Sequence, residues 1–561
     1  MAESESVDAP VTAAPWHASY PAGVPSTIDP DAFASLHAFL LASCRRYAEQ
    51  PAFDFLGAVM SYAEWERTSA AFAGFLIERL GRRPGDRLAI MLPNVLAYPV
   101  AFLGALRAGL TVVSFNPLYT PRELAHQLAD CGATTIVIME NFAHKLEGVI
   151  GDTAVEHVVV ARLGDLVPPL KRWAFNFANT WLRRAVPAWR FERFTMLHDA
   201  CAHVPAQPLP DPVAVPAAPA LLQYTGGTTG IAKGAMLSHR NLIANTLQCV
   251  SWISTDAVPG IERVLTPLPL YHIFSLTANM LTFASLGGMN VLVPDPRDIS
   301  RLVATMRRTR VTAMSGVNTL FNALAHSPEF TALDFSALKF AIGGGAAVQS
   351  AVAERWRAIT GTSLVEGYGL TEGSPVVCIN PLAQPRIGTV GLPVPSTEVS
   401  IRDDQGHAVA LGEMGEVWVR GPQVMQGYWR RPDETRKALT ADGWLLTGDL
   451  GTIDPQGFVK LLDRKKDMII VSGFKVFPNE VEDVVAQHPG VLEAAVIGAP
   501  DDRTGQLVKL FVVRRDPELT EAALRTYCRD NLTGYKVPRV IEFRDTLPKS
   551  NIGKILRKEL H

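Results

Sequence analysis

Short runs of consecutive apolar residues alternate along this chain with longer stretches in which apolar positions recur every three or four residues. The runs Arg87–Leu92, Thr134–Met139, Glu156–Ala161 and Leu338–Ile342 read as strands buried on both faces. Tyr62–Leu80 and Ser350–Thr360 read as helices, so the body is α/β, with two wound sheets. From Glu398 the pattern shortens to strands and turns, as in Gly415–Arg420 after the turn around Gly412, which predicts a small β subdomain. Beyond Asp463 it changes again. Asn479–His488 places Val481, Val484, Val485 and His488 on one helical face, and Leu492–Ile497 and Leu507–Val513 read as strands. Thr520 caps a second helix running to about Leu532, and the strand Val537–Phe543 follows, completing a compact α+β module with its own core. The expected division is a loose arm over residues 1–30, a large domain over 31–463 and a small C-terminal domain over 464–561. The charged stretch Asp463–Asp467 joins the last two, with a hinge near Lys466.

Two segments bear on membranes. Val264–Pro294 carries no charged residue and is long enough to cross a bilayer, but Pro267, Pro269, Gly287 and Gly288 divide it into a strand end, a helix and a second strand. From Leu170 to Arg184 the positions Leu170, Trp173, Ala174, Phe177, Ala178, Trp181 and Leu182 repeat at helical spacing, with Lys171, Arg172, Arg183 and Arg184 mostly elsewhere. Such a basic amphipathic helix suits the headgroup region of an anionic membrane. A helix packed on its own domain with a solvated basic face has the same pattern.

Composition narrows the class. With 561 residues, 48% hydrophobic and 19% charged, the chain is globular and too long for one typical core. A net charge of −2 gives no global field favouring nucleic acid. The six cysteines are scattered without a paired metal or disulfide spacing, which fits a reducing cytoplasm. The first 30 residues are rich in Pro, Ala and Ser and lack the basic start and apolar core of a secretory signal.

The chemistry concentrates in a few motifs. YTGGTTGIAKGAM at 224–236 reads as a phosphate cradle: Gly226, Gly227 and Gly230 let backbone N–H groups approach an anion, Thr225, Thr228 and Thr229 add hydroxyls, and Lys233 adds charge. Lys233 lies between Ala232 and Gly234, so this is not a Walker loop. Gly343, Gly344 and Gly345 follow a strand and allow a flat ring or acyl chain close to the backbone. EGYGLTE at 366–372 sets Tyr368, flanked by Gly367 and Gly369, near Thr371 and Glu372, a carboxylate suited to magnesium shared with phosphate oxygens. GWLLTGD at 443–449 presents Asp449, able to accept hydrogen bonds from a ribose diol. LPKSNIGKILR at 547–557 offers Lys554 after a turn at Gly553. Taken singly, each has a structural explanation as turn, core or surface; their co-occurrence carries the argument.

In this order and at these intervals the motifs resemble the adenylate-forming (AMP-binding) superfamily of acyl-CoA synthetases, adenylation domains and luciferases, over about Tyr47 to Leu560. The block from Asp442 to Glu480 is most similar to bacterial long-chain fatty acid–CoA ligases. The resemblance implies ATP-dependent activation of a fatty acid to acyl-CoA through acyl-AMP, with ATP, magnesium and coenzyme A. It places adenine against Tyr368 beside Gly343–Gly345, ribose on Asp449 and Arg464, magnesium on Glu372 and Thr225, and Lys554 between carboxylate and α-phosphate. His272, within LPLYHIF at 268–274, would line the pocket, although a core histidine reads the same way. The small domain would swing about Lys466 and bring Ser472–Lys475 toward pantetheine. The expected partners are fatty acid and coenzyme A, a peripheral contact with anionic membrane through residues 170–190, no nucleic acid, and a homodimer among the compatible states. The expected location is cytoplasmic, including the inner face of the membrane.

Chain length is less legible. An aromatic gate described for some long-chain members is replaced here by Leu276, and the run Met314–Leu324 with Phe321 reads equally as tunnel wall or buried helix. Ser472 and Lys475 match a Ser-x-x-Lys pattern, but its companion motifs, Gly-x-Ser-x-Gly and His-Glu-x-x-His are all absent. The alternatives are an acyl-AMP ligase serving a carrier protein, a medium-chain or aryl acid–CoA ligase, and a non-catalytic lipid-binding protein.

Overall fold

The computed structural model describes residues 14–207, 209, 219–225 and 232–561. Among these residues the body holds two twisted sheets. One has the strand order Phe194–Met196, His157–Ala161, Thr135–Met139, Arg87–Met91, Thr111–Ser114, Pro219–Thr225, Lys233–Ser238, parallel up to an antiparallel last pair. The other runs Leu392–Pro393, Val376–Ile379, Leu364–Gly369, Phe340–Gly343, Ala313–Gly316, Arg263–Thr266, Met289–Leu292, Pro51–Phe55, Ala58–Ser61, parallel in the middle and antiparallel at both edges. Continuous apolar runs such as Thr135–Met139 are wholly buried, as strands of a covered parallel sheet must be.

The short-strand region is a four-stranded antiparallel sheet, Glu398–Arg402, Gly415–Arg420, Leu445–Ile453 and Val459–Arg464. Beyond it, Gly505–Arg514 pairs with Val491–Asp501 and Val540–Arg544, and the helices Pro478–Ala486 and Glu521–Asn531 close a separate core around Val481, Val485, Leu510 and Leu524. Thr520 caps the second helix, its side chain accepting from Ala523 N. The uncharged stretch divides as its prolines and glycines dictate, into strand Arg263–Thr266, a wide helix Ser275–Leu281 running into Thr282–Ser285, and strand Met289–Leu292. No helix among the described residues is long and apolar enough to cross a membrane.

Two expectations change. The arm is docked from residue 14 onward: Trp16 is buried with Trp252, Ile379, Leu392 and Phe458, the Tyr20 hydroxyl donates to Pro393 O at 2.6 Å, and Ile28 N donates to Ser396 Oγ at 2.9 Å. A segment too polar to build a core of its own lends one tryptophan to another core.

The amphipathic helix is the second. Pro169–Phe177 continues as a wide turn, Ala178–Leu182, and its polar side faces the protein. Lys171 Nζ donates to Gly57 O at 2.7 Å, Asn176 Oδ1 accepts from Gly164 N at 2.8 Å, and Asn179 exchanges amide bonds with Asn141. The apolar side is left to solvent, with Leu170, Trp173, Trp181 and Leu182 exposed by 87, 69, 71 and 72%. The packed-helix alternative is therefore reversed, because Lys171, Asn176, Asn179 and the inward Phe175, rather than the tryptophans, hold the helix down.

Candidate active site

Both parallel sheets end at one cavity of about 2160 Å³. Strand Pro219–Thr225 brings Thr225 from the first sheet. From the second come His272 after Arg263–Thr266, Thr319 after Ala313–Gly316, Gly343–Gly345 at the end of Phe340–Gly343, and Tyr368 on Leu364–Gly369. Ligands of open α/β sheets bind at these carboxyl ends. The four-stranded sheet adds Asp449 and Arg464, which sit opposite each other in register, and the C-terminal module adds Lys554. Gly367, Gly369, Thr371, Glu372, Lys233 and Lys466 also line the cavity, whereas Gly226, Gly227, Thr228, Thr229 and Gly230 lie outside the described residues.

The glycines are needed for closeness. A Cβ on Gly344 would stand 3.1 Å from the Phe274 ring and 3.3 Å from Gly367 O, and Gly345 has φ +77°. The Tyr368 hydroxyl donates to Asp449 Oδ2 at 2.6 Å, while Arg464 Nε lies 3.3 Å from Asp449 Oδ1. The Glu372 carboxylate accepts from the Tyr428 hydroxyl at 2.7 Å, which leaves its second oxygen for a cation. Among the described residues no group of three or more metal-binding side chains exists. Glu372 and Thr225 both line the cavity, oxygen donors that could hold a magnesium ion taking most of its ligands from phosphate and water.

Electrostatics differ along the wall. Burial, then the Lys554 charge, pulls His272 down to about 4, so its imidazole is neutral near pH 7. Its Nδ1 accepts from Phe274 N at 3.3 Å, which assigns the ring proton to Nε2. Burial pulls Lys554 down to about 8, with Arg464 adding to the effect and Asp449 opposing it. Glu366 is pushed up to about 8, by burial first. Lys233 pairs with Glu434 and lies over the Tyr428 ring at 5.2 Å.

Several residues here escaped the sequence reading. Asp130 accepts from the Tyr224 hydroxyl and from Arg431 Nη2, both at 2.6 Å, tying the strand before the glycine loop to segment 428–434, which carries Tyr428 and Glu434. The only signal was a charged stretch after Gly427, which reads as surface. The two acyl-pocket questions left open by the sequence are decided by burial. Leu276 is fully buried in the core, and Phe274 rather than residue 276 presents an aromatic ring to the cavity. Phe321 is fully buried against Trp356, so of that run only residues near Val317 and Thr319 reach the cavity. Cys249, Ile253, Thr282 and Phe283 also line the cavity. Ser472 and Gly473, both with positive φ, are the two-residue turn of a hairpin, and Lys475 lies on its returning strand opposite Ile470, which accounts for the Ser-x-x-Lys spacing without nucleophilic chemistry.

Residues 40–429 match the family model described as AMP-binding enzyme, and residues 480–554 match the AMP-binding enzyme C-terminal domain. The chain is 53% identical over 546 residues to a long-chain-fatty-acid–CoA ligase of Escherichia coli O157:H7, covering 97% of each. It is 36% identical over 508 residues to a feruloyl-CoA synthase of an Amycolatopsis species, covering 90% of this chain and 94% of that one. Among solved structures it resembles the anthranilate CoA ligase AuaEII in complex with anthranoyl-AMP, with TM-score 0.84, 25% identity, and 95% and 98% of the two chains covered. It also resembles ATP-bound MatB from Rhodopseudomonas palustris, with TM-score 0.79, 29% identity, and 94% and 98% covered.

Proposed function

Because this chain belongs to the AMP-binding enzyme family, we propose that it activates long-chain fatty acids to acyl-CoA through acyl-AMP, releasing pyrophosphate and then AMP. One observation carries this reading: a single cavity gathers Thr225, Lys233, Tyr368, Glu372, Asp449, Arg464 and Lys554 from distant parts of the sequence.

In the first step a fatty carboxylate oxygen attacks the α-phosphorus of ATP, and the bond to the bridging oxygen breaks with its electron pair leaving on pyrophosphate. Two anions must meet, so Lys554 bridges carboxylate and α-phosphate while Lys233 and the glycine-rich loop hold the leaving group. The substrate is already ionised and needs no base. His272, neutral with its proton on Nε2, serves as a hydrogen-bond donor in the carboxylate pocket. Tyr368 and Gly343–Gly345 receive adenine, with Gly367, Gly369 and Thr371 completing that wall, and Asp449 with Arg464 receives the ribose. Glu372 and Thr225 would hold a magnesium ion, which would screen the phosphate charge.

In the second step the thiol of coenzyme A attacks the acyl carbonyl, AMP leaves with the electron pair, and the thiol proton is released. The C-terminal module turns about Lys466 between the steps and withdraws Lys554. Its hairpin then faces the thiol substrate with Phe474, which is 57% exposed and stacked on Tyr535 at 4.8 Å, flanked by Lys475 and Lys536.

The test incubates the protein with ATP, magnesium, coenzyme A and equimolar acids from acetate through palmitate and oleate to benzoate and ferulate, reading thioesters by mass spectrometry. Long-chain acyl-CoA is the expected product. Acyl-AMP without thioester would indicate a carrier-protein acceptor, an aryl thioester a ring-shaped pocket, and no turnover a binding protein.

The reading extends to a peripheral contact with the cytoplasmic face of an anionic membrane through the reversed helix. Trp173 stacks on Phe177 at 5.2 Å in the exposed face, and Arg183, Arg184, Arg190 and Arg193 are exposed beside it. Flotation with phosphatidylglycerol vesicles should recover the protein at low salt, less so with phosphatidylcholine alone. Trp173→Glu with Trp181→Glu should abolish recovery, and a wild-type protein that stayed at the bottom of the gradient would overturn the contact.

A further inference from the structure

The helix Ser350–Thr360 begins five residues after the triple glycine of the cavity wall and has no side-chain cap of its own. Gln349, at its N-cap, is committed to Asn318, accepting from Asn318 Nδ2 at 3.0 Å and donating its backbone N–H to Asn318 Oδ1 at 3.0 Å. The first helical amide goes instead to Asp483, on helix Pro478–Ala486 of the C-terminal module. Asp483 Oδ1 accepts from Ser350 N at 2.9 Å and from Ser350 Oγ at 3.0 Å, and Oδ2 accepts from Ser350 Oγ at 3.0 Å. A carboxylate in this place satisfies an N–H that would otherwise lack a partner and faces the positive end of the helix dipole.

Beside the hinge, Arg557 Nη1 of the module pairs with Asp463 Oδ1 at 2.9 Å, and Lys465 with Asp404 at 2.7 Å. At the face that the helix Ser350–Thr360 presents, the other contacts are neutral or repulsive. Thr319 Oγ1 donates to Gly553 O at 2.9 Å, Asn551 Nδ2 to the Tyr271 hydroxyl at 3.1 Å, and Asn322 Nδ2 to Leu492 O at 2.9 Å. Further along the same helix, Arg355 contacts His326, and Arg515 of the module approaches that imidazole at 3.3 Å, so two guanidinium groups meet around one ring. Like charge there opposes docking. The Asp483 cap supplies an attraction specific to this pose, in which Gly553 and Lys554 enter the cavity.

We propose that Asp483 is a positioning residue for acyl-AMP formation: by capping Ser350–Thr360 across the interface it holds the C-terminal module where Lys554 meets the reaction centre, and it gives up that cap when the module turns. This rests on the two-step reading above. The cap also steadies segment 346–349 and the glycines before it, so one contact couples the module's pose to the nucleotide wall.

The full chain is compared with Asp483→Ala, Asp483→Asn and Ser350→Ala. Fatty-acid-dependent ATP–pyrophosphate exchange reads acyl-AMP formation, thioester release from supplied acyl-AMP reads the second step, and amide hydrogen exchange at residues 350–353 reads the cap. Asp483→Ala should slow the first reaction about tenfold, the equilibrium worth of a strong helix cap. The loss should fall on kcat rather than on KM for ATP, the thioester step should stay at the wild-type rate, and the amides should exchange faster. Asp483→Asn, which keeps an acceptor oxygen, should recover most of the loss, and Ser350→Ala, which keeps the N–H, should fall between. Unchanged pyrophosphate exchange in Asp483→Ala would overturn the proposal, as would equal loss in both half-reactions with a lowered melting temperature. If the wild type itself shows no fatty-acid-dependent exchange, the two-step reading fails and the catalytic role with it, while the amide measurement still reports whether Asp483 caps the helix.

Discussion

Lys554 keeps its charge in surroundings that resist it. Burial and Arg464 draw the ammonium down to about 8, so the charged form predominates at lower pH and is lost as pH rises through that value. Acyl-AMP formation at subsaturating substrate should therefore decline above pH 8 with a single-proton slope, and Lys554→Arg, whose guanidinium stays charged, should flatten the decline in a pH–rate profile. Lys554→Ala should lower acyl-AMP formation by about 10²- to 10³-fold, the usual cost of removing a group that stabilises developing negative charge. It should spare thioester release from supplied acyl-AMP, and equal loss in both half-reactions would refute the role. Across the cavity, Lys233 is held by Glu434, which lies on the short helix Pro432–Ala438 and also pairs with Lys437. If that pair competes with phosphate for Lys233, Glu434→Gln should lower KM for ATP by about two- to fivefold, the range set by a partly exposed ion pair. A raised KM would mean that Glu434 orients the lysine rather than occupying it.

Elements act here through their ends and faces. Lys466 sits between strand Val459–Arg464 and strand Ile469–Val471, where Asp467 N donates to Arg464 O at 2.9 Å and the chain leaves one sheet for another. Proline at 466 removes an N–H and restricts φ. Lys466→Pro should slow thioester formation by about tenfold, roughly 1.4 kcal/mol of barrier, while acyl-AMP forms at near the wild-type rate in a rapid-quench assay. Equal rates in both steps would remove the hinge. The reversed helix shows the limit of periodicity at this scale. The spacing of Leu170, Trp173, Phe177 and Trp181 marks one face, but only the anchors at Gly57 and Gly164 reveal that this face points outward.

At the scale of the molecule, the two parallel sheets, the four-stranded sheet and the C-terminal module meet over one cavity, and contacts distant in sequence decide how they sit. Trp16 illustrates this. It fills a core built by the helix His239–Ile253 and the edge of the nine-stranded sheet, and a Cβ on Gly457 would stand 2.4 Å from Trp16 Cα. Trp16→Ala should cost about 3 kcal/mol or more, the price of an emptied tryptophan site, and appear as an earlier transition in a urea titration. An unchanged midpoint would mean that this segment adds no stability.

Local pattern alone determined the strand runs, the bounds of the helix Ser350–Thr360, the cap at Thr520 and the division of Val264–Pro294, because each depends on side-chain period and turn chemistry within a few residues. Each motif was legible locally, as glycines with Lys233 in one stretch and Glu372, Asp449 and Lys554 in three others, while their meeting at one cavity was not. Tertiary structure alone decided that Leu276 and Phe321 turn into the core, that Phe274 meets the cavity, that Trp16 docks, and that Asp483 caps a helix 133 residues away. The physical reason is common to them all. Periodicity states which residues share a face, while the partner that covers the face is chosen by packing and charge between segments whose separation leaves no trace in local sequence.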